Sequence, residues 1–374
     1  MAISSSSLVF SAPRLITDET NASGPWWQGI HALSDKHALG WVPTRMVATN
    51  DGGESWRTLL GWKDKETDAF GGLSAFDGTS FHDCGANHTF LSPTGSNINV
   101  TGIRAQQTTR FSLSESGDFV RAQGRPFTIC GLPNVDYFRA GAGGSSIWLR
   151  DGRTMLATAV TSGVGSAESR SRHKLSIVAL RSGDQGFTWS YSGLVASADE
   201  VPSAHEGPSE NALARLTNGS LIVVFRVAGE NGHHSPYHSK ISDDEGASWA
   251  YLRPLRRWPG SSVAPGCVLP RLIALEGGAL VLAGGRPSPS SHDVLIWLNA
   301  AGDGDMWRPY SVSYWHDQLV RNRSWLIPGA AINRSWPRYS TSYTSLLRTG
   351  SSMAFVVYGA GPHGFAMPLR LVRP

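Results

Sequence analysis

Short apolar runs separated by turn-forming residues recur along most of the chain. Apolar runs of about four to eight residues, bounded by Gly, Asp, Asn or Ser, are typical of β-strands. No long segment with an apolar period of 3.6 residues competes with them, so the sequence predicts an all-β protein. The clearest predicted strands are Ser146–Leu149, Leu175–Leu180, Leu221–Phe225, Ala279–Leu282 and Met353–Tyr358.

An eight-residue pattern, Ser/Thr-x-Asp-x-Gly-x-Ser/Thr-Trp, lies between several of these strands. Full copies occupy residues 49–56, 182–189 and 242–249, and a weaker copy ends at Trp307. In a turn, Asp accepts hydrogen bonds from backbone N–H groups and Gly takes the positive φ that the turn needs, while Trp packs between neighbouring strands. We therefore expect the Asp of each copy to be structural rather than catalytic.

The spacing of the tryptophans that end these copies predicts the number of repeats. Trp189, Trp249 and Trp307 are separated by 60 and 58 residues, and a chain of 374 residues holds about six such units of four short strands. The sequence thus predicts a six-bladed β-propeller. We expect it to occupy residues 1–374 as a single domain, with an insertion at about 310–337 that is rich in Trp and Arg.

Composition and charge exclude several classes of function. The chain is 40% hydrophobic and 17% charged, which is typical of a globular protein rather than a disordered one. Its net charge of +4 is too small and too scattered to indicate binding to nucleic acid or to a membrane surface. No apolar run approaches the roughly 18 residues of a membrane span, and three cysteines allow one disulfide at most.

Acceptor tripeptides for N-glycosylation are more frequent than chance predicts. This excess predicts a secreted or lumenal protein, although the first residues, MAISSSSLVFSA, lack the basic start of a signal peptide. The six acceptors are Asn21, Asn87, Asn99, Asn218, Asn322 and Asn333.

The eight-residue turns resemble the Asp-box (BNR) repeats of the sialidase superfamily, and the resemblance extends over about residues 28–360. The stretch from Glu210 to Arg226 is similar to the sialidase segment in which a Glu opens one strand and an Arg closes the next. The segment 342–350, which contains Tyr343, is similar to the tyrosine-bearing segment of the last sialidase blade.

The resemblance implies roles for three of these residues. Sialidases use Tyr as the nucleophile, because a carboxylate would be repelled by the carboxylate of the substrate. The resemblance implies that Tyr343 is this nucleophile, with Tyr339 as a rival, and that Glu210 accepts its proton. Arg226 would then bind the substrate carboxylate through charge-assisted hydrogen bonds.

The chain also departs from the sialidase pattern at three places. Sialidases hold the carboxylate with three arginines, yet the stretch Gly29–Leu33 has no counterpart of the first. At the third position stands His292, with Arg286 six residues earlier as a possible replacement. The loop 43–45 lacks the expected acid/base Asp. We therefore expect the sialidase fold with altered carboxylate recognition, in an exo-glycosidase that cleaves an acidic sugar-containing glycan and needs no cofactor or metal.

Three other functions fit the same residues. A polysaccharide lyase could use a His as the base, a Tyr as the acid and an Arg on the uronate carboxylate. The candidate histidines are His205, His233, His234, His238 and His292, and His205 and His292 are also candidate substrate-binding residues. A glycosidase with paired carboxylates could use Glu206 as the acid and Glu210 as the nucleophile or base. A propeller that binds glycans without cleaving them could stack sugar rings on Trp26 and Trp27. The partner is a glycan in every case. Nothing in the sequence indicates an oligomeric state.

Overall fold

The computed structural model describes residues 6–18, 29–32, 36–42, 45–58, 79–83, 86–90, 109–113, 119–123, 127–131, 137–140, 146–162, 164–171, 174–184, 188–229, 236–266, 268–285, 293–327, 344–360 and 363–373. The chain divides into two compact units. Unit 1 comprises residues 1–64, 215–218 and 255–374, and unit 2 comprises residues 65–214 and 219–254. Strands predominate in both, which confirms the predicted all-β class, whereas the single domain and the six blades stay predictions.

The strands are short and follow one another closely. In chain order they are β1 (Ser7–Phe10), β2 (Arg14–Asp18), β3 (Gly29–Ala32), β4 (Ala38–Val42), β5 (Arg45–Thr49), β6 (Arg57–Thr58), β7 (Thr79–Asp83), β8 (Ala86–Phe90), β9 (Thr109–Leu113), β10 (Phe119–Gln123), β11 (Phe127–Cys130), β12 (Tyr137–Ala140), β13 (Ser146–Trp148), β14 (Met155–Ser162), β15 (Leu175–Ser182), β16 (Thr188–Ala196), β17 (Pro208–Arg215), β18 (Leu221–Val227), β19 (His238–Ser242), β20 (Arg253–Pro254), β21 (Arg256–Arg257), β22 (Arg271–Ala274), β23 (Leu280–Gly285), β24 (Leu295–Asn299), β25 (Met306–Ser311), β26 (Ser345–Arg348), β27 (Met353–Ala360) and β28 (His363–Val372). All five of the clearest predicted strands are confirmed, with small shifts at their ends.

Helices are few among the described residues. The α-helices are α1 (Ala167–Ser171) and α2 (Val312–Leu319), and single 3₁₀ turns cover Ala198–Glu200, Glu276–Gly278 and Arg323–Trp325.

Unit 2 contains three sheets among its described residues, of which the smallest is the pair β9 and β10. The other two are larger. One contains β17, β18, β19 and β20 in chain order, and the other has the order β12-β14-β15-β16-β11-β7-β8, with β13 also paired to β14. The strands β14, β15 and β16 are antiparallel neighbours, whereas β11 runs parallel to both β16 and β7. A buried apolar cluster joins the two sheets; it consists of Leu149, Leu156, Ile177, Ala179, Val195, Ala196, Ala204, Leu213, Leu221, Val223, Phe225 and Val227.

Unit 1 contains three sheets among its described residues. They have the orders β3-β4-β5-β6, β21-β25-β24-β23-β22 and β1-β28-β27-β26, and β2 also pairs with β28. The first strands of the chain therefore pair with its last long strand, and Ser7 lies opposite Val372. This pairing ties the two ends of the chain into one sheet and buries Leu8 and Phe10 in the core of unit 1.

The repeated turns have the structure that their sequence predicts. In each copy the Asp carboxylate accepts a hydrogen bond from the backbone N–H four residues later. The distances are 2.9 Å for Ser55 N to Asp51, 2.8 Å for Thr188 N to Asp184 and 2.8 Å for Ser248 N to Asp244. The glycines Gly53 and Gly246 have φ of +88° and +85°. These hydrogen bonds confirm the predicted structural role of the three Asp residues.

The segment predicted as an insertion is described up to residue 327. Its main feature is α2, which the Ser311 hydroxyl caps at the N-terminus. Val312 and Ile327 belong to the core of unit 1, and the His316 side chain is completely buried. The described part of this segment is therefore an integral part of unit 1.

Candidate functional site

The hairpin formed by β17 and β18 brings Glu210 and Arg226 together in unit 2. Because side chains alternate along a strand, and Phe225 and Val227 lie in the apolar cluster, Arg226 points to the opposite face of the sheet. There its Nη1 donates a hydrogen bond of 3.4 Å to Glu210 Oε2. The two residues are therefore in direct contact, while the catalytic and substrate-binding roles predicted for them stay predictions.

A second carboxylate reaches the same guanidinium from the loop before β17. Arg226 Nη2 lies 3.9 Å from Glu206 Oε2. The two acids differ in their access to solvent, because the Glu206 side chain is 42% exposed and the Glu210 side chain only 12% exposed. One guanidinium thus contacts an outer and an inner carboxylate, and these three side chains define the candidate site.

Backbone hydrogen bonds fix the loop that carries Glu206. Its carbonyl accepts a hydrogen bond of 2.7 Å from Leu175 N, and the N–H of His205 donates to Ala228 O at 3.1 Å. Gly207 has a φ of +87°, and a Cβ at this position would lie 2.4 Å from Leu175 O. Only Gly fits between these strands, so the position of Glu206 depends on Gly207.

We expect Gly207→Ala to destabilise the protein by about 3 kcal/mol, because a left-handed backbone and a contact with a backbone carbonyl both oppose the new methyl group. Urea unfolding measures this effect. The matched control is Gly183→Ala in the same unit, where a Cβ meets nothing within 4 Å and φ is not positive. Equal stabilities of the two variants would contradict this account of the loop.

The remaining predicted site residues are not part of this contact set. The His205 side chain is exposed and makes no hydrogen bond or ion pair within the described ranges. Tyr343, Arg286 and His292 lie outside the described residues, so their predicted roles stay predictions. His238 stacks on Phe225 in the apolar layer, with ring centroids 6.3 Å apart, and burial lowers the pKa of its imidazole.

A polar cavity that the sequence did not reveal lies next to the loop that carries Glu206, because its lining residue Ala198 would lie 3.3 Å from a Cβ at Gly207. Its volume is about 340 Å³. Its lining comprises Ser166, Glu168, Ser169, Lys174, Ala198, Asp199 and Pro202, all in unit 2. The only local signal was the capping box Ser197-Ala198-Asp199-Glu200, which fixes the turn that carries Asp199.

The described part of the chain has no group of three or more His, Cys, Asp or Glu side chains arranged to hold a metal ion. None of its helices has the length and apolar character needed to cross a membrane.

Solved structures similar to the chain include glycoside hydrolases. A protein of unknown function from Dyadobacter fermentans has a TM-score of 0.57 at 12% identity, over 98% of this chain and 99% of that chain. The GH93 α-L-arabinofuranosidase of Fusarium graminearum, in complex with arabinobiose, has a TM-score of 0.53 at 16% identity, over 97% and 98% of the two chains. A Hadza microbial sialidase has a TM-score of 0.51 at 14% identity, over 93% of this chain and 66% of that chain.

The chain shares its fold with glycoside hydrolases. At these identities the similarity concerns the fold and not the substrate. No family model matches the chain, and no curated protein matches it.

Proposed function

We propose that the protein is a glycoside hydrolase in which Glu206 and Glu210 are the catalytic carboxylates and Arg226 positions them. The observation that carries this proposal is the shared guanidinium, which contacts Glu210 at 3.4 Å and Glu206 at 3.9 Å. Hydrolysis of a glycosidic bond by the common mechanisms needs two carboxyl groups with different roles. An outer acid on the loop before β17 and an inner acid on β17 provide this difference.

The exposure of each acid suggests its role. Glu206 lies on the solvent side, where a leaving-group oxygen can be reached, and it would protonate that oxygen as the general acid. Glu210 is held deeper by Arg226, and it would attack the anomeric carbon or activate a water molecule there. Arg226 acts as a positioning residue for both carboxylates.

The charge of the site favours a neutral glycan. One cationic side chain contacts two acidic ones, so Arg226 has little positive charge to offer to a substrate carboxylate. The similarity in fold to a GH93 α-L-arabinofuranosidase solved with arabinobiose also favours a neutral substrate. A neutral oligosaccharide is therefore our first candidate substrate.

A sialidase-like exo-glycosidase for an acidic sugar is the second candidate. The Glu210–Arg226 arrangement, which resembles the sialidase segment, and the TM-score of 0.51 to a microbial sialidase favour it. This function would use Tyr343 as the nucleophile, and it would need Arg286 or His292 to add the positive charge that Arg226 shares with two acids. Six blades with Asp-box turns would belong to the same proposal.

We also propose that the protein is secreted or lumenal. Among the sequon residues, Asn218 and Asn322 are exposed. Cys130 is disulfide-bonded, and disulfides persist mainly in oxidising compartments. A loss of mass when N-glycans are removed from the natively expressed protein tests this location.

Hydrolysis assays on the full chain test the function. We expect release from an aryl glycoside of a neutral sugar, with aryl α-L-arabinofuranoside, β-D-xyloside and β-D-galactoside as the panel, and no release from an aryl α-ketoside of sialic acid. Release from the ketoside that is lost in Tyr343→Phe would favour the second candidate instead. Unsaturated ends from a uronate polysaccharide would indicate a lyase, and inactivity on every substrate would indicate a binding protein.

A further inference from the structure

The polar cavity lies at the same end of the unit 2 strands as Glu206. Leu175, next to Lys174, donates its backbone N–H to Glu206 O. Ala198, which lines the cavity next to Asp199, would lie 3.3 Å from a Cβ at Gly207. The Asp184 turn lies at the opposite end of β15. The cavity is therefore a direct neighbour of the loop that positions the outer carboxylate.

The ammonium group of Lys174, in the lining of the cavity, has fewer hydrogen-bond partners than it has N–H donors. The residue is only 9% exposed. Its Nζ donates one hydrogen bond, of 2.6 Å, to Pro202 O, and no carboxylate of the described ranges lies within ion-pair distance of it. An ammonium group carries three N–H donors, and leaving them unused in a buried place costs free energy. A ligand with oxygen acceptors would complete this group.

Asp199 fixes the opposite side of the cavity. Its carboxylate accepts hydrogen bonds of 2.7 Å from Ser166 N and from the Ser166 hydroxyl, and another from the Ser169 hydroxyl. The hydrogen bonds from Ser169 and Ser166 lower the pKa of Asp199 to about 2, so the group is anionic at any ordinary pH. Both hydroxyls donate to Asp199, so a ligand can use only their oxygen lone pairs. Ser166 Oγ already accepts from the Ser169 N–H at 3.2 Å and keeps one lone pair, whereas Ser169 Oγ keeps two.

We propose that this cavity binds a second, neutral sugar residue of the glycan, next to the sugar whose bond is cleaved. The inference rests on the proposed function and names a subsite for it. Lys174 donates to sugar oxygens, and the Ser166 and Ser169 oxygens accept from sugar hydroxyls. An anionic sugar is disfavoured, because Asp199 and Glu168 outnumber the one ammonium group. A cavity of about 340 Å³ lies at the small end of the ligand-site range of about 300–1,000 Å³.

Binding to the full-length Glu210→Gln protein tests the subsite without requiring turnover. The probes are arabinobiose, xylobiose and lactose, with 3′-sialyllactose as the anionic counterpart of lactose, and the method is isothermal titration calorimetry. We expect at least one neutral disaccharide to bind and Lys174→Met to weaken it by about tenfold or more, since a hydrogen bond to a charged group is lost. Glu168→Ala removes an exposed carboxylate of the cavity lining, which can accept from a sugar hydroxyl, and should weaken binding by about threefold.

Lys240→Met is the matched control. Lys240 is also buried and in unit 2, but its Nζ pairs with Glu200 at 2.7 Å and does not line the cavity. We expect Lys240→Met to lower the melting temperature and to leave the affinity for the disaccharide unchanged. The subsite would be overturned if Lys174→Met bound the disaccharide as tightly as the parent, or if Lys240→Met lost binding to the same extent as Lys174→Met. It would also be overturned if the protein preferred sialyllactose to lactose, or if no neutral disaccharide bound at millimolar concentration.

Turnover separates the subsite from the proposed function. If a neutral oligosaccharide is hydrolysed, Lys174→Met should raise its KM with little change in kcat, and it should not affect an aryl glycoside of one sugar. Disaccharide binding that depends on Lys174 in a protein with no hydrolytic activity would retain the subsite and reject the catalytic proposal. Hydrolysis that is indifferent to Lys174→Met would retain the catalytic proposal and reject the subsite.

Discussion

Glu210→Gln is expected to lower kcat/KM for a cleaved glycoside by about 10³-fold or more, because one of two essential carboxyl groups is lost. The amide is nearly the same size as the carboxylate and can still accept the hydrogen bond from Arg226 Nη1. The fold should therefore survive, and a melting curve close to that of the parent checks this. Initial rates with the best aryl glycoside measure the loss.

Glu206→Gln should behave differently from Glu210→Gln if Glu206 is the general acid. A good leaving group such as a nitrophenolate departs without protonation, whereas a sugar alcohol does not. We therefore expect a small loss on a nitrophenyl glycoside and a loss of about 10²–10⁴-fold on the corresponding disaccharide. Equal losses on both substrates would contradict the acid role of Glu206.

Glu245→Gln is the matched control for both acids. Glu245 lies in the same unit and also pairs with an arginine, because Arg150 Nε is 3.4 Å from its Oε1. Neither residue of this pair contacts Arg226 in the described structure, so the activity of Glu245→Gln should equal that of the parent. A loss in Glu210→Gln of less than about tenfold, or an equal loss in Glu245→Gln, would reject the two-carboxylate site.

Local patterns allowed much of the fold to be predicted from the sequence. The turns around Asp51, Asp184 and Asp244 are determined by neighbouring residues within eight positions, so their hydrogen bonds follow from the pattern alone. The Glu210–Arg226 contact was predictable for a similar reason, because both residues belong to one hairpin. Short-range information was sufficient in these cases.

Other features depend on contacts between distant segments. Lys174 and Asp199 line one cavity because two separate loops of unit 2 converge, and no spacing in the sequence encodes this. The second contact of the site, Glu206 to Arg226, depends on the hydrogen bond from Leu175 N–H to the Glu206 carbonyl and on the close approach of Gly207 to Leu175.

The short helix α2 was missed although a local signal for it existed. Val312, Trp315, His316 and Leu319 follow helical spacing, but two turns are too few to stand out against the strand pattern.

The buried His316 in α2 predicts a large effect on stability that depends on pH. Its Nε2 lies 2.7 Å from the Trp325 carbonyl oxygen and its Nδ1 lies 2.6 Å from the Tyr358 hydroxyl. A carbonyl can only accept, so Nε2 carries the proton and Nδ1 accepts from Tyr358. The ring also packs edge-on against Phe365, with centroids 4.8 Å apart. The neutral imidazole therefore has both of its nitrogens satisfied inside the core of unit 1.

Protonation of His316 should weaken the fold. Burial lowers the pKa of its imidazole, against the opposing effects of the Trp325 carbonyl and of Asp317. In the unfolded chain the pKa is about 6.5, so as the pH falls below that value the unfolded state takes up a proton that the folded state does not. The stability that neutral His316 contributes is complete above this pH and declines below it, towards the lower folded pKa.

We expect His316→Gln to cost about 3 kcal/mol at pH 7.5, from lost ring packing and at least one unsatisfied partner. The gap in stability between parent and variant should narrow as the pH is lowered from 7.5 to about 5, because only the parent has the titrating imidazole. Urea unfolding at several pH values measures both quantities. His205→Gln, at an exposed imidazole, should match the parent throughout. A gap that stays constant with pH would mean that His316 stabilises unit 1 by packing alone, and that its protonation is not coupled to folding.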